Sequence, residues 1–226
     1  MKGTGMSVRQ PTGTVRCATV LLALVMAGGC KATWTPTTLV PPAALQWPFL
    51  PGAAKVTYAY ALTGITRKTG VATVLESVVY GGAGSRRDFM LPAAVATAAD
   101  GRIAVADAGC KCVHLYLPRI AKSLRLSGSD RERIASPVGV AFDDEARLYV
   151  SDSAGAVFAF DQEGKPRFVL RKAGERPLQR PTGMVWASDR HLLYVVDQWP
   201  KYAIAWLPNF VEFTFNREVN LSTFTI

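Results

Sequence analysis

The chain has 226 residues, which is room for one ordinary domain and a targeting segment. Hydrophobic residues make up 49% and charged residues 19%, and 14 prolines with 19 glycines favour a protein of short strands and many turns over a helical one. The formal net charge is +9, but the basic residues are scattered and lack the interleaved aromatic residues of a nucleic-acid-binding surface, which argues against a nucleic-acid partner.

The first 29 residues have the pattern of a bacterial export signal. A basic segment, Met1–Arg16, precedes eleven mostly apolar residues, Cys17–Ala27, which are too few to span a bilayer and typical of a signal-peptide core. The small residues before the cysteine in Gly28–Cys30 resemble the lipobox of bacterial lipoproteins. This resemblance implies cleavage before Cys30, acylation of its thiol and, because Lys31 follows, release to the outer membrane. The alternative is an ordinary secretory signal with a free Cys30, and both readings predict an exported protein.

Residues 30–54 are rich in proline and show no periodic apolar pattern. Such a stretch is typical of polyproline II or irregular backbone, so we expect a semi-rigid tether between the lipid anchor and a domain at residues 55–226. The end of the tether, Trp47–Phe49, is expected to pack on that domain. The next segment, Lys55–Leu62, alternates and is rich in β-branched and aromatic residues, which predicts a strand.

One pattern then recurs along the chain, with clear repeats at residues 91–135, 136–179 and 180–226. Each repeat opens with a proline, continues through an apolar strand and an acidic or glycine turn, and reaches an aspartate after a second apolar run. Successive aspartates are 45 residues apart. The repeated positions are Pro92, Pro137 and Pro181, Gly139 and Gly183, and Asp107, Asp152 and Asp197. A fixed period of this length is typical of propeller or solenoid arrays.

The second repeat predicts four short strands separated by polar turns. They lie at Gly139–Phe142, Arg147–Ser151, Ala156–Phe160 and Arg167–Leu170. Four antiparallel strands in about 45 residues correspond to one blade of a β-propeller.

The residue pattern of these repeats resembles that of the NHL repeat. Pro137-x-Gly139-Val-Ala followed by Leu148-Tyr-Val-Ser-Asp152 is one match, and Pro181-Thr-Gly183-Met with Leu193-Tyr-Val-Val-Asp197 is another. The first repeat has Ala94 where the glycine is expected. Together with the lipobox, this resemblance over roughly residues 91–208 implies a six-bladed NHL-type propeller lipoprotein. The expected fold is therefore all-β, with four-stranded blades in a partial or open ring.

The length from Lys55 to Ile226 covers fewer than four repeats, whereas six blades need about 270 residues. Three interpretations remain open. The chain is a truncated or frame-shifted product, with Asn216–Ile226 lacking any repeat signature; or two half-rings close each other through unpaired blade edges; or residues 55–90 complete a small four-bladed ring together with the C-terminal tail.

The repeated aspartates are expected to stabilise the fold by accepting backbone N–H groups of the following turn, since a role that recurs once per blade belongs to the fold. Cys110, Cys112 and His114 are the sharpest candidates for chemistry, because thiolates and imidazole bind zinc or copper. On one extended strand, however, Cys110 and His114 would lie about 13 Å apart, too far to share an ion. We therefore predict neither a metal nor a disulfide at these residues, but small apolar thiols packed on a blade.

The sequence offers no assembled catalytic set and no cofactor motif. Trp199 precedes a proline in a turn and is a candidate binding residue. The expected function is an envelope-anchored binding or scaffold module for a protein, peptide or glycan. The alternatives are a propeller enzyme, such as a metal-dependent lyase or lactonase, and a non-functional fragment.

Overall fold

The computed structural model describes residues 33–42, 45–48, 53, 55–68, 86–198, 202–208 and 213–220. Apart from one turn of 3₁₀ helix at Pro118–Ile120, the regular elements of these residues are β-strands. No helix among the described residues is long and apolar enough to cross a membrane.

The three sequence repeats form three four-stranded antiparallel sheets, in each of which the strands are ordered as they follow one another in the chain. Blade 1 contains β6 to β9, at Pro92–Thr97, Ile103–Asp107, Cys112–Leu117 and Lys122–Leu126. Blade 2 contains β10 to β13, at Pro137–Phe142, Leu148–Asp152, Ala156–Phe160 and Pro166–Leu170. Blade 3 contains β16 to β19, at Pro181–Ala187, Leu192–Asp197, Tyr202–Pro208 and Phe213–Asn220. A small hairpin, β14 and β15 at Lys172–Ala173 and Arg176–Pro177, joins blades 2 and 3.

The strand predictions for the second repeat are confirmed to within two residues at each end. The last strand, β19, completes blade 3 and includes Asn216–Asn220. The sequence analysis found no repeat signature in that segment, because it contains neither the proline nor the aspartate of the repeats. Backbone pairing with β18 nevertheless makes it the fourth strand.

The blades pack face to face and bury two apolar layers. Between blades 1 and 2 the core includes Leu115, Leu148, Val150, Phe158 and Phe160, each at most 1% exposed. Between blades 2 and 3 a second core gathers residues such as Tyr149, Val157, Leu193 and Val195. Because alternate residues of a strand point to opposite faces, blade 2 supplies both layers from the same strands. The first strands β6, β10 and β16 lie side by side at the inner edges of the blades.

The segment before blade 1 departs from the prediction of an irregular tether. Thr33–Leu39 forms strand β1, which pairs along its length with β4 at Ala61–Lys68. Strand β5, Arg86–Asp88, adds a third strand to this sheet. The threonines of β1 favour a strand, and long-range pairing with β4 therefore outweighs the preference of Pro36 for irregular backbone.

The predicted strand Lys55–Leu62 is divided in the structure. Only Val56–Thr57 pairs at its beginning, as β3 with β2 at Gln46–Trp47, and the next strand starts at Ala61. The expected packing of Trp47 is also wrong, because this side chain is 59% exposed. Trp34 instead lies under the guanidinium of Arg87, 4.4 Å from the ring centre.

The three-stranded sheet β1–β4–β5 covers the free face of blade 1. The backbone N–H of Trp34 donates to the carbonyl oxygen of Ala121 at 2.6 Å. The guanidinium of Arg87 donates to the carbonyl oxygen of Ser123 at 3.1 Å. The Phe89 ring lies 5.2 Å from the ring of His114, centre to centre. His114 is thereby enclosed between blade 1 and this sheet.

Candidate functional site

The repeated aspartates lie at one end of each blade, which we call the aspartate end. Asp107, Asp152 and Asp197 are each at most 2% exposed. Each is the direct cross-strand partner of the proline that opens its own blade. A proline has no N–H to pair at that position, so the aspartate can turn its carboxylate to other donors.

Each of these carboxylates binds the connection that enters its blade. Asp107 accepts the N–H groups of Met90 and Leu91 at 2.7 and 2.9 Å. Asp152 accepts those of Ala135 and Ser136 at 2.6 and 2.9 Å. Asp197 repeats the arrangement with Gln179 and Arg180. The sequence predicted bonds to the following turn alone. Such bonds exist, for example from Ala154 to Asp152 at 2.9 Å, but the upstream connection is the partner that recurs in all three blades.

At the opposite end of the blades a groove of about 760 Å³ opens between the inner strands. All three of β6, β10 and β16 contribute, together with the turns that follow them. The side chains at its surface include Ala96, Thr97, Asp144, Glu145, Met184, Val185 and Trp186. Apolar and polar side chains both line the groove, as in many binding surfaces.

The turns around this groove are held by carboxylates. Asp143 is buried and accepts the N–H groups of Glu145 and Arg147 at 3.0 and 2.9 Å, as well as the Tyr149 hydroxyl at 3.1 Å. Burial, followed by the charge of Asp143, raises the pKa of Tyr149, so this hydroxyl stays protonated and donates. In blade 1, Asp100 accepts the Nε–H of Arg102 at 2.8 Å.

Hydrogen bonds between turns of neighbouring blades fix the shape of the groove. The Arg102 guanidinium reaches blade 2 and donates to the carbonyl oxygens of Gln162 and Ala146 at 2.5 and 3.4 Å. The Ser188 hydroxyl of blade 3 donates to Asp144 of blade 2 at 2.6 Å. This hydrogen bond is the main reason that the pKa of Asp144 lies below its ordinary value. His191 Nδ1 lies 3.3 Å from the same carboxylate.

The roles of Asp100, Arg102, Asp143 and Ser188 were not foreseen from the sequence. The Asp–x–Arg spacing of Asp100 and Arg102 is a local signal that could have indicated a closed turn. The contacts of Arg102 with Gln162 and of Ser188 with Asp144 join residues 60 and 44 positions apart, and no local pattern indicates them.

Close packing of inner strands explains one of the repeated glycines. A Cβ on Gly139 would lie closer than 3.0 Å to the Thr182 carbonyl oxygen and to the Ser151 hydroxyl oxygen. Ser151 itself donates to that Thr182 carbonyl. A Cβ on Gly183, at the same position of blade 3, would meet no described atom within 4 Å.

The structure overturns the distance argument made for Cys110, Cys112 and His114. Cys110 lies in the turn before β8, not on the strand, because Lys111 adopts a left-handed backbone with φ of 51°. The chain therefore folds back, and both sulfur atoms lie 3.6 Å from His114 Nε2. The two cysteines are joined by a disulfide with a Cα–Cα distance of 5.3 Å. The prediction of two separate apolar thiols was wrong for this reason.

His114 is 3% exposed, and its Nε2 lies 3.4 Å from Asp107 Oδ2. Burial lowers the pKa of His114, and the charge of Asp107 offsets only part of this effect, so the imidazole is neutral at pH 7. For Asp107, burial raises the pKa, but the N–H groups of Met90 and Leu91 outweigh it and the net pKa is lowered. The two side chains thus form a neutral imidazole beside a carboxylate.

The predicted lipidation site Cys30 and the candidate Trp199 lie outside the described residues.

The three sequence repeats thus form three four-stranded antiparallel sheets. These sheets pack face to face, and the first strand of each is the innermost. The chain is an array of β-propeller blades. No family model matches it, and no curated protein matches it.

Solved structures of propeller proteins are similar to parts of the chain. They include a streptogramin B lyase, with a TM-score of 0.49 and 10% identity over 73% of this chain and 51% of that one. A virginiamycin B lyase from Staphylococcus aureus has a TM-score of 0.47 and 14% identity over 71% and 50%. The WD40 repeats of RRP9 have a TM-score of 0.47 and 12% identity over 58% and 39%. The chain spans about half of those chains or less, and the fold assignment rests on the strand order and packing described above.

Proposed function

We propose that this chain is a lipid-anchored binding module of the bacterial cell envelope, built from NHL-type propeller blades. Its partner, a protein, peptide or glycan, is held in the groove at the end of the blades opposite the repeated aspartates. The observation that carries this proposal is the groove itself. Three separate blades contribute inner strands to one concave surface of about 760 Å³.

The groove is suited to binding because it is rigid. Its turns are joined by the bonds from Arg102 to blade 2 and from Ser188 to Asp144. A rigid surface loses little conformational entropy when a partner is bound. Apolar side chains remain available for contact, among them Val185 at 59% exposed.

The chemistry of the groove favours binding over catalysis. A metal-dependent lyase or lactonase would need carboxylates that are free to hold an ion or move a proton. Two of the acids at the groove, Asp100 and Asp143, are already engaged by arginine side chains and backbone N–H groups. Asp144 is engaged by Ser188, and the exposed Glu145 is paired with Arg147 at 2.9 Å. These carboxylates shape the turns.

The groove proposal is tested with the lipid-anchored protein purified in detergent. Binders are selected from a random peptide library and from a panel of envelope polysaccharides. They are then measured against Val185→Arg and Thr97→Arg, which place a long charged side chain in the groove. The matched control is Val56→Arg, because Val56 is 65% exposed and lies outside the groove. We expect both groove variants to lose binding and the control to keep it.

Selected binders that respond equally to the control and to the groove variants would contradict this location. The absence of any binder from either library would contradict the binding function. Circular dichroism of each variant separates a loss of binding from a loss of folding.

The proposed anchor is tested separately in a Gram-negative host grown with an alkyne-labelled fatty acid. Wild-type protein is expected to carry the label and to sediment with the outer membrane. Cys30→Ser is expected to lose the label, and Cys17→Ser, the matched control within the signal segment, is expected to keep it. A labelled Cys30→Ser protein would show that this cysteine is not the acceptor.

A further inference from the structure

We propose that Cys110, Cys112 and His114 form a redox-controlled zinc site. With the disulfide reduced, the two thiolates and the imidazole Nε2 bind one Zn²⁺ ion. The disulfide present in this structure is the closed form of the same site, in which both sulfurs are bonded to each other and unable to bind metal.

The distances match those of a zinc site. Both sulfur atoms lie 3.6 Å from His114 Nε2, and the three ligand atoms lie within 4.8 Å of one another. With Zn–S of about 2.3 Å and Zn–N of about 2.0–2.1 Å, a tetrahedral angle separates sulfur and nitrogen by about 3.6 Å. The imidazole is thus already in position. On reduction the sulfurs need only separate to about 3.8 Å, and a turn residue such as Cys110 can supply that movement.

The backbone holds the three ligands together. The left-handed conformation at Lys111 reverses the chain between the cysteines. The Gly109 N–H donates to Asp107 at 3.0 Å and ties this turn to the end of β7. Cys112 and His114 are two positions apart on β8 and point to the same face of blade 1.

Charges of both signs face the site. The Asp107 carboxylate, 3.4 Å from His114 Nε2, places a negative charge where a cation would bind. Arg125 donates to the Cys110 carbonyl oxygen at 3.1 Å, and Arg87 lies nearby on the covering sheet. These two positive charges disfavour a bound cation and partly cancel the effect of Asp107. Cys112 is fully buried and Cys110 half-buried, so reductant and metal must enter from the side of Cys110.

The disulfide contributes little as a structural crosslink. It joins residues two positions apart, and such a short loop restricts the unfolded chain far less than a long one. Opening it is therefore expected to cost the fold little stability. A dithiol reductant transfers two electrons and two protons to the Cys110–Cys112 bond and becomes a disulfide itself. Zn²⁺ then displaces the two thiol protons as it binds.

The test uses the full-length chain, reduced with a phosphine that is then removed under argon. Zn²⁺ is titrated in competition with a chromophoric chelator, and Co²⁺ is used as a spectroscopic probe of thiolate ligation. We expect one tightly bound ion per reduced chain, with a sulfur-to-cobalt charge-transfer band, and loss of that ion on reoxidation. Because Cys17 and Cys30 could also bind metal, the measurement is repeated in the Cys17→Ser, Cys30→Ser double variant, which is expected to keep the ion.

Two variants decide the assignment. Cys110→Ser alters a half-buried turn residue and is expected to fold and to lose the ion and the charge-transfer band. His114→Asn is expected to lose the ion as well, while its matched control at the exposed His191, His191→Asn, keeps it. If His114→Asn fails to fold by circular dichroism, Cys110→Ser alone decides. Equal zinc binding by reduced wild type and Cys110→Ser, or by reduced and oxidised chains, would overturn the proposal.

Discussion

Gly139 shows how closely the inner strands of neighbouring blades approach each other. Its missing Cβ leaves room for the Thr182 carbonyl of blade 3 and for the Ser151 hydroxyl that donates to it. Any larger residue must push these two strands apart, although the backbone angles of Gly139 are ordinary. The requirement for glycine here is therefore one of space between blades.

This comparison predicts opposite behaviour for two equivalent glycines. Gly139→Ala is expected to lower the free energy of unfolding by about 1–3 kcal/mol, the usual cost of overpacking. Gly183→Ala, where a Cβ meets no described atom within 4 Å, is expected to change it by less than about 0.5 kcal/mol. Urea unfolding followed by circular dichroism measures both. Equal losses for the two variants would show that the glycines serve a shared backbone role.

At the scale of elements, the repeated aspartates connect the second strand of a blade to the segment that enters it. The prediction concerns Asp152, which accepts three backbone N–H groups and is 1% exposed. Asp152→Ala leaves these donors without their charged acceptor and is expected to cost about 3 kcal/mol or more. Asp152→Asn should cost less, since its amide oxygen still accepts.

The matched control for this loss is Asp189→Ala. Within the part of the chain that the structure describes, Asp189 pairs with Arg190 at 3.4 Å, and its side chain is 75% exposed. Its removal is expected to change stability by less than about 0.5 kcal/mol. If Asp152→Ala were as stable as Asp189→Ala, water would be satisfying the N–H groups, and the aspartates would not hold the connections.

The turn after β6 predicts a dependence of stability on pH. Burial raises the pKa of Asp100, but the hydrogen bonds from the side chain and backbone of Arg102, together with the positive charges of Arg102 and Arg119, outweigh burial, so the net pKa is lowered. A group whose pKa is lower in the folded state stabilises the fold above its ordinary pKa, and this contribution is lost as the pH falls through the folded value. We therefore expect a loss of stability in acid, below the ordinary Asp pKa of 3.8.

Asp100→Asn should flatten this part of the pH profile, which urea unfolding between pH 2 and pH 7 measures. Arg102→Met should have the same effect and should also loosen the contact with blade 2, because Arg102 donates to Gln162 and Ala146. An unchanged acid limb in both variants would show that other carboxylates determine the acid stability.

At the scale of the molecule, the blades share their cores and should unfold together. Phe158 is 1% exposed in the layer between blades 1 and 2. Phe158→Ala is expected to cost about 3–5 kcal/mol, because it leaves a cavity in that layer. Since blade 2 also packs on blade 3, the loss should appear at the same urea concentration by circular dichroism and by tryptophan fluorescence, to which Trp186 of blade 3 contributes. Separate transitions would show that the blades are independent units.

Much of the fold could be predicted because its signals are local. The four strands of blade 2 follow from alternation and turn residues, and each signal lies within one repeat of about 45 residues. The N-terminal strand β1 was missed because its partner β4 begins more than 20 residues later, and a proline-rich segment alone does not indicate that pairing. The candidate sites were predicted less well. The carboxylates around the groove gain their roles from other blades, and the cysteines were placed on an extended strand that the turn at Lys111 interrupts.

The sequence by itself determined the blade: the order of its strands, the proline that opens it and the aspartate opposite that proline. These features depend on interactions between residues that are near each other in the chain. Only the tertiary structure decided the groove and the grouping of Cys110, Cys112 and His114. The groove exists because three inner strands from separate repeats pack side by side, and the ligand group exists because one residue between the cysteines adopts a left-handed backbone. Neither long-range packing nor the sign of a single φ angle is encoded in a local pattern of residue types.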